Sequence, residues 1–169
     1  MKSYQIISNK KNTKSVIVLL STLFVFSLLF LLLFVFNVTR ISKIDINNYD
    51  VVSSDDYVFS IKECKLKDNV INIEGFIYKK NIDIKTNATH LVFKDKKDNY
   101  YKLPTYIFFD EEMVKENDYG WSGFVSTFKT NSKINMEDDF NIFVLSSINN
   151  EDKLVDLKLT SREVLENVK

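Results

Sequence analysis

Residues that commonly build catalytic and metal sites are scarce in this chain of 169 residues, which has one histidine, one cysteine and three glycines. Cys64 has no partner cysteine, so an intramolecular disulfide is excluded, and we expect Cys64 to act as a buried or half-buried small hydrophobe. His90 alone cannot supply a zinc-ligand pattern, although the fold could bring Cys64 and His90 together. Three glycines cannot build a Gly-rich phosphate loop. We therefore expect no enzyme, no cofactor and no metal ion; an enzyme whose site converges only in three dimensions is the remaining alternative.

Acidic residues occur in three short runs that could offer oxygen ligands to calcium. None of the runs has the spaced Asp-x-Asp-x-Asp-Gly pattern of a calcium-binding loop, so we interpret them as solvated loops. The runs are Asp55-Asp56, Asp110-Glu111-Glu112 and Glu137-Asp138-Asp139.

Acidic residues are absent from residues 1–40, which carry five basic residues. Residues 41–169 hold the other 18 basic residues and all 23 acidic residues, a net charge of −5. This asymmetry is typical of a membrane-oriented protein, since positive charge beside a spanning helix favours the cytoplasmic side. A net acidic domain repels phosphate, so we expect no nucleic acid partner.

Charged residues are also absent between Ser15 and Thr39, and residues 16–36 are almost wholly apolar. A helix of about 21 to 24 residues spans about 32–36 Å, enough to cross a hydrocarbon layer about 30 Å thick. A cleaved signal peptide has a shorter apolar core followed by small residues, and both features are missing here. We therefore predict a cytoplasmic basic tail over 1–14 and an uncleaved, single-pass transmembrane helix over 15–39. The C-terminal part is then on the extracellular side of the cell membrane.

Within the predicted span, Phe26, Phe30 and Phe34 are four residues apart and share one helix face. This stripe could pack against a partner helix, although a lipid-facing surface is the favoured interpretation. The span lacks Gly-x-x-x-Gly, the close-contact dimer motif. It also lacks ionisable residues, which argues against transport or proton relay.

Beyond the apolar run, residues 40–55 are polar without a clear period, and we interpret them as a linker or stalk that could supply a first edge strand. From residue 56 onward the pattern alternates with period two, which is typical of half-buried strands. Ile71, Ile73 and Ile77, for example, share one face of their strand. The predicted strands cover 58–64, 70–78, 89–94, 100–103, 119–129, 140–146 and 154–160.

About seven short strands, with turns at near-regular spacing and no helical crossovers, predict an all-β domain over 56–169. The economical arrangement is an antiparallel β-sandwich, immunoglobulin-like in broad form, and a small β-barrel is the alternative. The Cys…Trp…Cys signature of true immunoglobulin domains is missing. A short C-terminal helix follows, with Ser161 as its predicted N-cap.

Residues 57–160 also resemble a known kind of module, and four segments carry the likeness: VINIEGFIY, HLVFKDKKDNYYKLP, YGWSGFVSTF and FNIFVL. With Gly75-Phe76, Tyr100-Tyr101 and Ser122-Gly123-Phe124, the pattern resembles a small immunoglobulin-like β-sandwich module of Gram-positive cell-envelope proteins. Such modules occur on membrane-anchored proteins and beside surface-polysaccharide or teichoic-acid glycosyltransferases. The family often has Gly-Trp where this chain has Gly75-Phe76. The resemblance implies a fold and an envelope setting, and no functional residues.

Aromatic rings can stack on sugar faces, and Trp121, Tyr100 and Tyr119 are the candidate contacts for a ligand or partner. A core position is the favoured interpretation for Trp121, and a ligand-binding position is the alternative. We predict a non-enzymatic, membrane-anchored envelope protein whose exported domain binds or scaffolds a partner protein or a cell-wall glycan. The alternative is a small accessory subunit of a membrane complex that contacts its partners through the transmembrane helix.

Overall fold

The computed structural model describes residues 2–38, 40–82, 86–111, 120–130, 134 and 139–167. The chain divides into two compact units, residues 1–39 and residues 40–169. The first unit is a helix, and the second, the β unit, is built mostly from strands.

Helix α1 runs from Lys2 to Val38 and is about 55 Å long at about 1.5 Å per residue. Its segment Thr13–Phe36 has 24 residues and a mean hydropathy of 3.0, and none of it is buried. The hydroxyls of Ser21 and Thr22 donate to the carbonyl oxygen of Val18 at 2.9 and 2.8 Å, so these polar groups are satisfied within the helix. In the described part of the chain, α1 is the one helix long and apolar enough to cross a membrane.

The β unit contains ten strands within the described residues, where the sequence predicts about seven. Six strands form one sheet in the order β1-β6-β5-β9-β10-β2, and four form a second sheet in the order β3-β4-β8-β7. The prediction of a mostly β structure is confirmed. The strands are β1 Ser42–Ile44, β2 Asp50–Ser53, β3 Tyr57–Lys67, β4 Val70–Lys79, β5 Asn87–Lys94, β6 Tyr100–Lys102, β7 Thr105–Phe108, β8 Gly123–Lys129, β9 Asn141–Ile148 and β10 Glu151–Thr160.

Neighbouring strands pair antiparallel, as predicted, with one exception among the described pairs. β2 runs parallel to β10, with Asp50 opposite Lys153. Two hairpin turns, Asp68-Asn69 and Asn149-Asn150, have φ between 52° and 67°. Asparagine and aspartate adopt this left-handed conformation more readily than other non-glycine residues, so the chain forms tight turns with few glycines.

The two sheets share one core of buried side chains. Phe124 on β8 and Ile73 on β4 enter it from the four-stranded sheet, and Phe93 on β5 enters it from the six-stranded sheet. The Phe93 ring centroid lies 5.8 Å from that of Phe128 on β8 and 5.5 Å from that of Phe140. Aromatic contacts therefore join the two sheets across the core.

Residues 40–55 are part of the β unit, although the sequence predicts a linker or stalk there. β1 pairs with β6 at one edge of the six-stranded sheet, and β2 pairs with β10 at the other edge. Residues 45–49, the crossing segment, therefore run across the outer face of this sheet. Strand alternation places a second cluster of buried hydrophobic side chains on that face. Ile44, Ile46 and Tyr49 pack against this cluster. The buried residues of this outer cluster are Val92, Tyr100, Phe143, Leu145 and Leu154.

A short helix, α2, follows β10 over Ser161–Asn167. Its N-cap is Thr160, so the prediction of Ser161 is wrong. The Glu163 amide donates to Thr160 Oγ1 at 3.3 Å, and the Thr160 amide donates to Glu163 Oε2 at 2.7 Å, which together form a capping box. The hydroxyl of buried Ser161 instead accepts from the Phe140 amide at 3.0 Å, which ties α2 to the start of β9.

Candidate functional site

β7 is an edge strand of the four-stranded sheet, and it positions the candidate site. Pro104 precedes it, as suits an edge strand, and the Pro104 carbonyl oxygen accepts a 2.7 Å hydrogen bond from Ser126 Oγ on β8. Further along, Phe108 lies opposite Gly123. A Cβ at Gly123 would lie 2.7 Å from the Phe108 ring, so the glycine makes room for that ring. This packing fixes the point at which the chain leaves β7.

Phe109 and Trp121 form an exposed aromatic pair between the end of β7 and the start of β8. Their ring centroids lie 5.5 Å apart with planes at 71°, an edge-to-face contact. The Asp110 amide donates to the Gly120 carbonyl oxygen at 2.6 Å, and the Trp121 carbonyl oxygen accepts from Asn87 Nδ2 at 2.8 Å. Backbone groups therefore hold the pair in place, while the side chains stay exposed, at 63% for Trp121 and 48% for Phe109.

Tyr106 adds a third exposed ring on β7, at 46% exposure. We call Tyr106, Phe109 and Trp121 the aromatic surface. Large apolar rings held in water forgo the free energy gained by burial, so these three exposed rings on β7 and at the start of β8 are candidates for contact with a partner. The three rings offer faces and edges for non-covalent contact with a partner.

A partly buried ion pair lies next to this surface. Asp110 is 6% exposed, and its Oδ2 lies 2.7 Å from Lys62 Nζ on β3. Lys62 Nζ is also 5.8 Å from the centroid of the Phe76 ring on β4. The prediction that Asp110 belongs to a solvated loop is therefore wrong, whereas Asp55 and Asp56 are exposed as predicted. Of the other acidic residues singled out from the sequence, Glu112, Glu137 and Asp138 lie outside the described residues.

No family model, curated protein or solved structure matches this chain. Across the residues that the structure describes, no three His, Cys, Asp or Glu side chains are grouped so that they could hold a metal ion.

The three contact residues predicted from the sequence have different environments. Trp121 is exposed, so the core position favoured for it is wrong. Tyr100 is 7% exposed, its ring centroid lies 5.5 Å from that of Phe143, and Lys94 Nζ lies 5.6 Å from the Tyr100 ring. Tyr100 is thus part of the outer cluster and has no open ring face for a ligand. Tyr119 lies outside the described residues.

Phe109 is an exposed ring of the candidate site that the sequence did not single out. It ends the apolar run that follows Pro104, and such runs predict burial. Successive side chains of a strand point to opposite faces, so Phe108 and Phe109 cannot both point inward if the strand continues through them. That conflict is the signal in the sequence that could have found Phe109.

Cys64 and His90 lie in different sheets, on β3 and β5, so the Cys64–His90 pair does not form. Cys64 is buried in the shared core, as predicted, and burial raises the pKa of its thiol to about 11. His90 lies opposite Leu145 of the outer cluster. Burial, with a smaller contribution from the Lys102 charge, lowers the pKa of its imidazole.

Proposed function

We propose that this chain is a single-pass membrane protein of the cell envelope, anchored by α1, with a cytoplasmic N-terminus and an exported β unit. The 24 residues of Thr13–Phe36 suit the thickness of a bilayer. The five basic residues and absent acids of residues 1–40 favour this orientation. The envelope setting is supported by the resemblance of residues 57–160 to Gram-positive surface modules.

We further propose that the β unit is an immunoglobulin-like sandwich. In that fold strands A, B, E and D form one sheet, and C, F and G form the other, with C′ added beside C in variable-type domains. If β3 is strand A and the next strands follow in chain order, β3-β4-β8-β7 is A-B-E-D and β6-β5-β9-β10 is C′-C-F-G. β1 and β2 are then additions at the two edges of the larger sheet. The separation of the described strands into two sheets favours this sandwich over a closed barrel.

The exported β unit, in this proposal, binds or scaffolds a partner protein or a cell-wall glycan and is not an enzyme. The aromatic surface carries the proposal, because it exposes three large rings on a β unit that is otherwise well packed. Aromatic residues dominate the energetics of protein interfaces and can stack on apolar sugar faces. The tether to α1 would confine this binding to the membrane surface.

Single serine substitutions of the aromatic surface test the proposal. We expect Tyr106→Ser, Phe109→Ser or Trp121→Ser to weaken binding of the full-length protein to envelope proteins or purified cell-wall glycan by tenfold or more, about 1.4 kcal/mol. Leu66→Ser is the matched control, because Leu66 is 51% exposed on β3, away from the aromatic surface. Crosslinking and co-sedimentation measure the two kinds of partner. Equal binding by the three variants and the control would contradict the proposal.

A second candidate function uses α1 itself as the contact, in an accessory subunit of a membrane complex. The side chains of Phe26, Phe30 and Phe34 are 66%, 70% and 57% exposed along one face. Replacing all three with leucine keeps the segment apolar and removes the ring stripe. We expect this variant to lose co-purification with its complex in mild detergent. Replacing Phe24 and Phe36, which lie off the stripe, is the control, and equal co-purification of the two variants would argue against helix contact.

A further inference from the structure

Trp121 lies at the end of the β unit where β5 begins. Asn87, the first residue of β5, donates to the Trp121 carbonyl oxygen at 2.8 Å. The amide of Asn149, in the β9–β10 turn, donates to the Thr86 carbonyl oxygen at 3.1 Å, so this turn lies at the same end. We call this end of the β unit the Trp121 end. The β5–β6 turn, residues 95–99, lies at the opposite end.

The chain also reaches β1 from the direction of the Trp121 end. β1 and β5 flank β6, and both run antiparallel to it, so β1 and β5 point the same way. Lys102 on β6 is paired with Ser42 of β1 on one side and with Val92 of β5 on the other, so Ser42 and Val92 are level across the sheet. The residues before Ser42 therefore come from the side on which β5 begins.

The tether between the apolar span and β1 is short. From Phe36, where the span ends, α1 continues for two residues to Val38, and Ser42 follows four residues later, so the tether is at most about 17 Å long. Ser42 is level with Val92 on β5, and β5 begins at the Trp121 end with Asn87. The five residues from Val92 to Asn87 therefore place Ser42 about 17 Å from the Trp121 end. With α1 anchored as proposed, the two lengths are similar enough for the Trp121 end to reach the membrane surface.

We propose that the Phe109–Trp121 pair rests in the interfacial layer of the bilayer and holds the β unit on the membrane surface. This inference depends on the proposed anchoring by α1. Tryptophan is enriched at this depth because its ring leaves water while its N–H stays hydrated. The contact relies on the rings, because residues 41–169 carry a net charge of −5 and Glu111 is exposed beside the pair. Phe109 and Trp121 then orient the β unit on the membrane, and Tyr106 is the ring of the aromatic surface that contacts an envelope partner.

Trp121 is the single tryptophan of the chain, so tryptophan fluorescence reports on this position alone. The test reconstitutes the full-length protein into phosphatidylcholine vesicles whose acyl chains are brominated either near the headgroup or near the bilayer centre. We expect Trp121 to lose more fluorescence with the shallow label than with the deep label. We also expect its emission maximum to shift to the blue relative to the protein in detergent.

Two relocated tryptophans in a Trp121→Phe background are the controls. Lys97→Trp places the probe in the exposed β5–β6 turn at the opposite end, where we expect no quenching. Phe26→Trp places it within α1, where we expect the deep label to quench most strongly. If Trp121 is as unquenched as the Lys97→Trp probe while the Phe26→Trp probe is quenched, the inference is overturned and the anchoring stands.

Vesicle flotation of the same samples separates the remaining outcomes. A protein that does not float with the vesicles after alkaline extraction is not anchored, and both proposals then fail. Equal quenching at Trp121 and at the Lys97→Trp probe would mean that the β unit has no preferred end on the membrane, which also overturns the inference. Phe109→Ser, which removes the partner ring, should reduce shallow quenching of Trp121 without reducing flotation.

Discussion

Lys62 Nζ lies 2.7 Å from Asp110 Oδ2, and this ion pair joins a strand bulge to the chain that leaves β7. The register of β3 and β4 shifts between Ile61 and Glu63, so Lys62 is the extra residue of the bulge. A bulge redirects the side chain of its extra residue, and here it places the ammonium group against a carboxylate that is only 6% exposed. The pair thereby fixes the residue next to Phe109.

Removing Lys62 should destabilise the protein, because it takes away a positive charge 2.7 Å from a carboxylate that is only 6% exposed. For Lys62→Met we expect a loss of about 1–3 kcal/mol in the free energy of unfolding, since Lys62 itself is partly exposed. Urea unfolding in detergent, followed by Trp121 fluorescence, measures the loss. Adding Asp110→Asn should recover part of it, because no buried charge then remains.

The exposed pair of Lys65 and Glu63 on the same strand is the control for this experiment. Lys65→Met should change stability by no more than about 0.5 kcal/mol, because exposed ion pairs contribute little. Equal effects of Lys62→Met and Lys65→Met would show that Asp110 does not depend on Lys62.

Gly75→Ala should cost about 1–3 kcal/mol of stability, since overpacking a tight site forces backbone shifts. A Cβ at Gly75 would meet the backbone oxygen of Ser60 and lie 3.0 Å from the Phe124 ring. Gly123→Ala is the comparison, because its Cβ would meet the Phe108 side chain, which can move more easily than backbone. We expect a smaller loss of stability there, with a shift in Trp121 emission. If Gly75→Ala were as stable as the wild type, the claim that a Cβ does not fit at Gly75 would be wrong.

Cys64 should resist thiol reagents in the folded protein, because burial raises the pKa of its thiol from 9.0 to about 11. At pH 8 we expect almost no reaction with a disulfide reagent until urea unfolds the β unit, and then one thiol per chain. The unfolded thiol ionises first as pH rises, so stability should fall between pH 9 and 11. Cys64→Ala should remove that part of the alkaline loss, and rapid labelling of the folded protein would contradict the burial of Cys64.

His90 should make the protein less stable as pH falls below about 6.5. Burial lowers the pKa of its imidazole, so the unfolded chain binds a proton before the folded protein does. His90 is the single histidine, so one imidazole NMR signal reports its titration directly. Lys102→Met should raise the pKa of His90 toward its ordinary value, because the nearby positive charge is gone. A His90 signal that titrates at or above 6.5 in the folded protein would contradict this prediction.

Strands whose burial alternates locally could be predicted from the sequence. Ile71, Ile73 and Ile77 are all buried at 2% exposure or less, as their shared face predicts. In β8, period-two spacing likewise puts Phe124, Ser126 and Phe128 on one face, and all three are buried. Each of these faces depends only on period-two spacing within one strand, and period-two spacing is visible in the sequence.

Features that depend on distant segments could not be predicted in this way. Tyr100 is buried because its strand face packs in the outer cluster with Phe143, and residues such as Ile46 and Tyr49 cover that cluster from far earlier in the chain. Trp121 is exposed, and the hydrogen bond from distant Asn87 holds its backbone rather than its ring. Neither relationship leaves a periodic signal in the local sequence, so alternation alone misplaced both rings.

The position of β2 beside β10 has a consequence for how the protein folds during synthesis. Asp50 and Lys153, which pair across these strands, are 103 residues apart. β2 therefore cannot pair with β10 until the residues up to β10 have been synthesised. Contacts at such separation form late, because a long loop must close first. We expect the crossing segment to cover Phe143 and Leu145 only after translation has passed residue 160, so truncated N-terminal fragments cannot reach the native state.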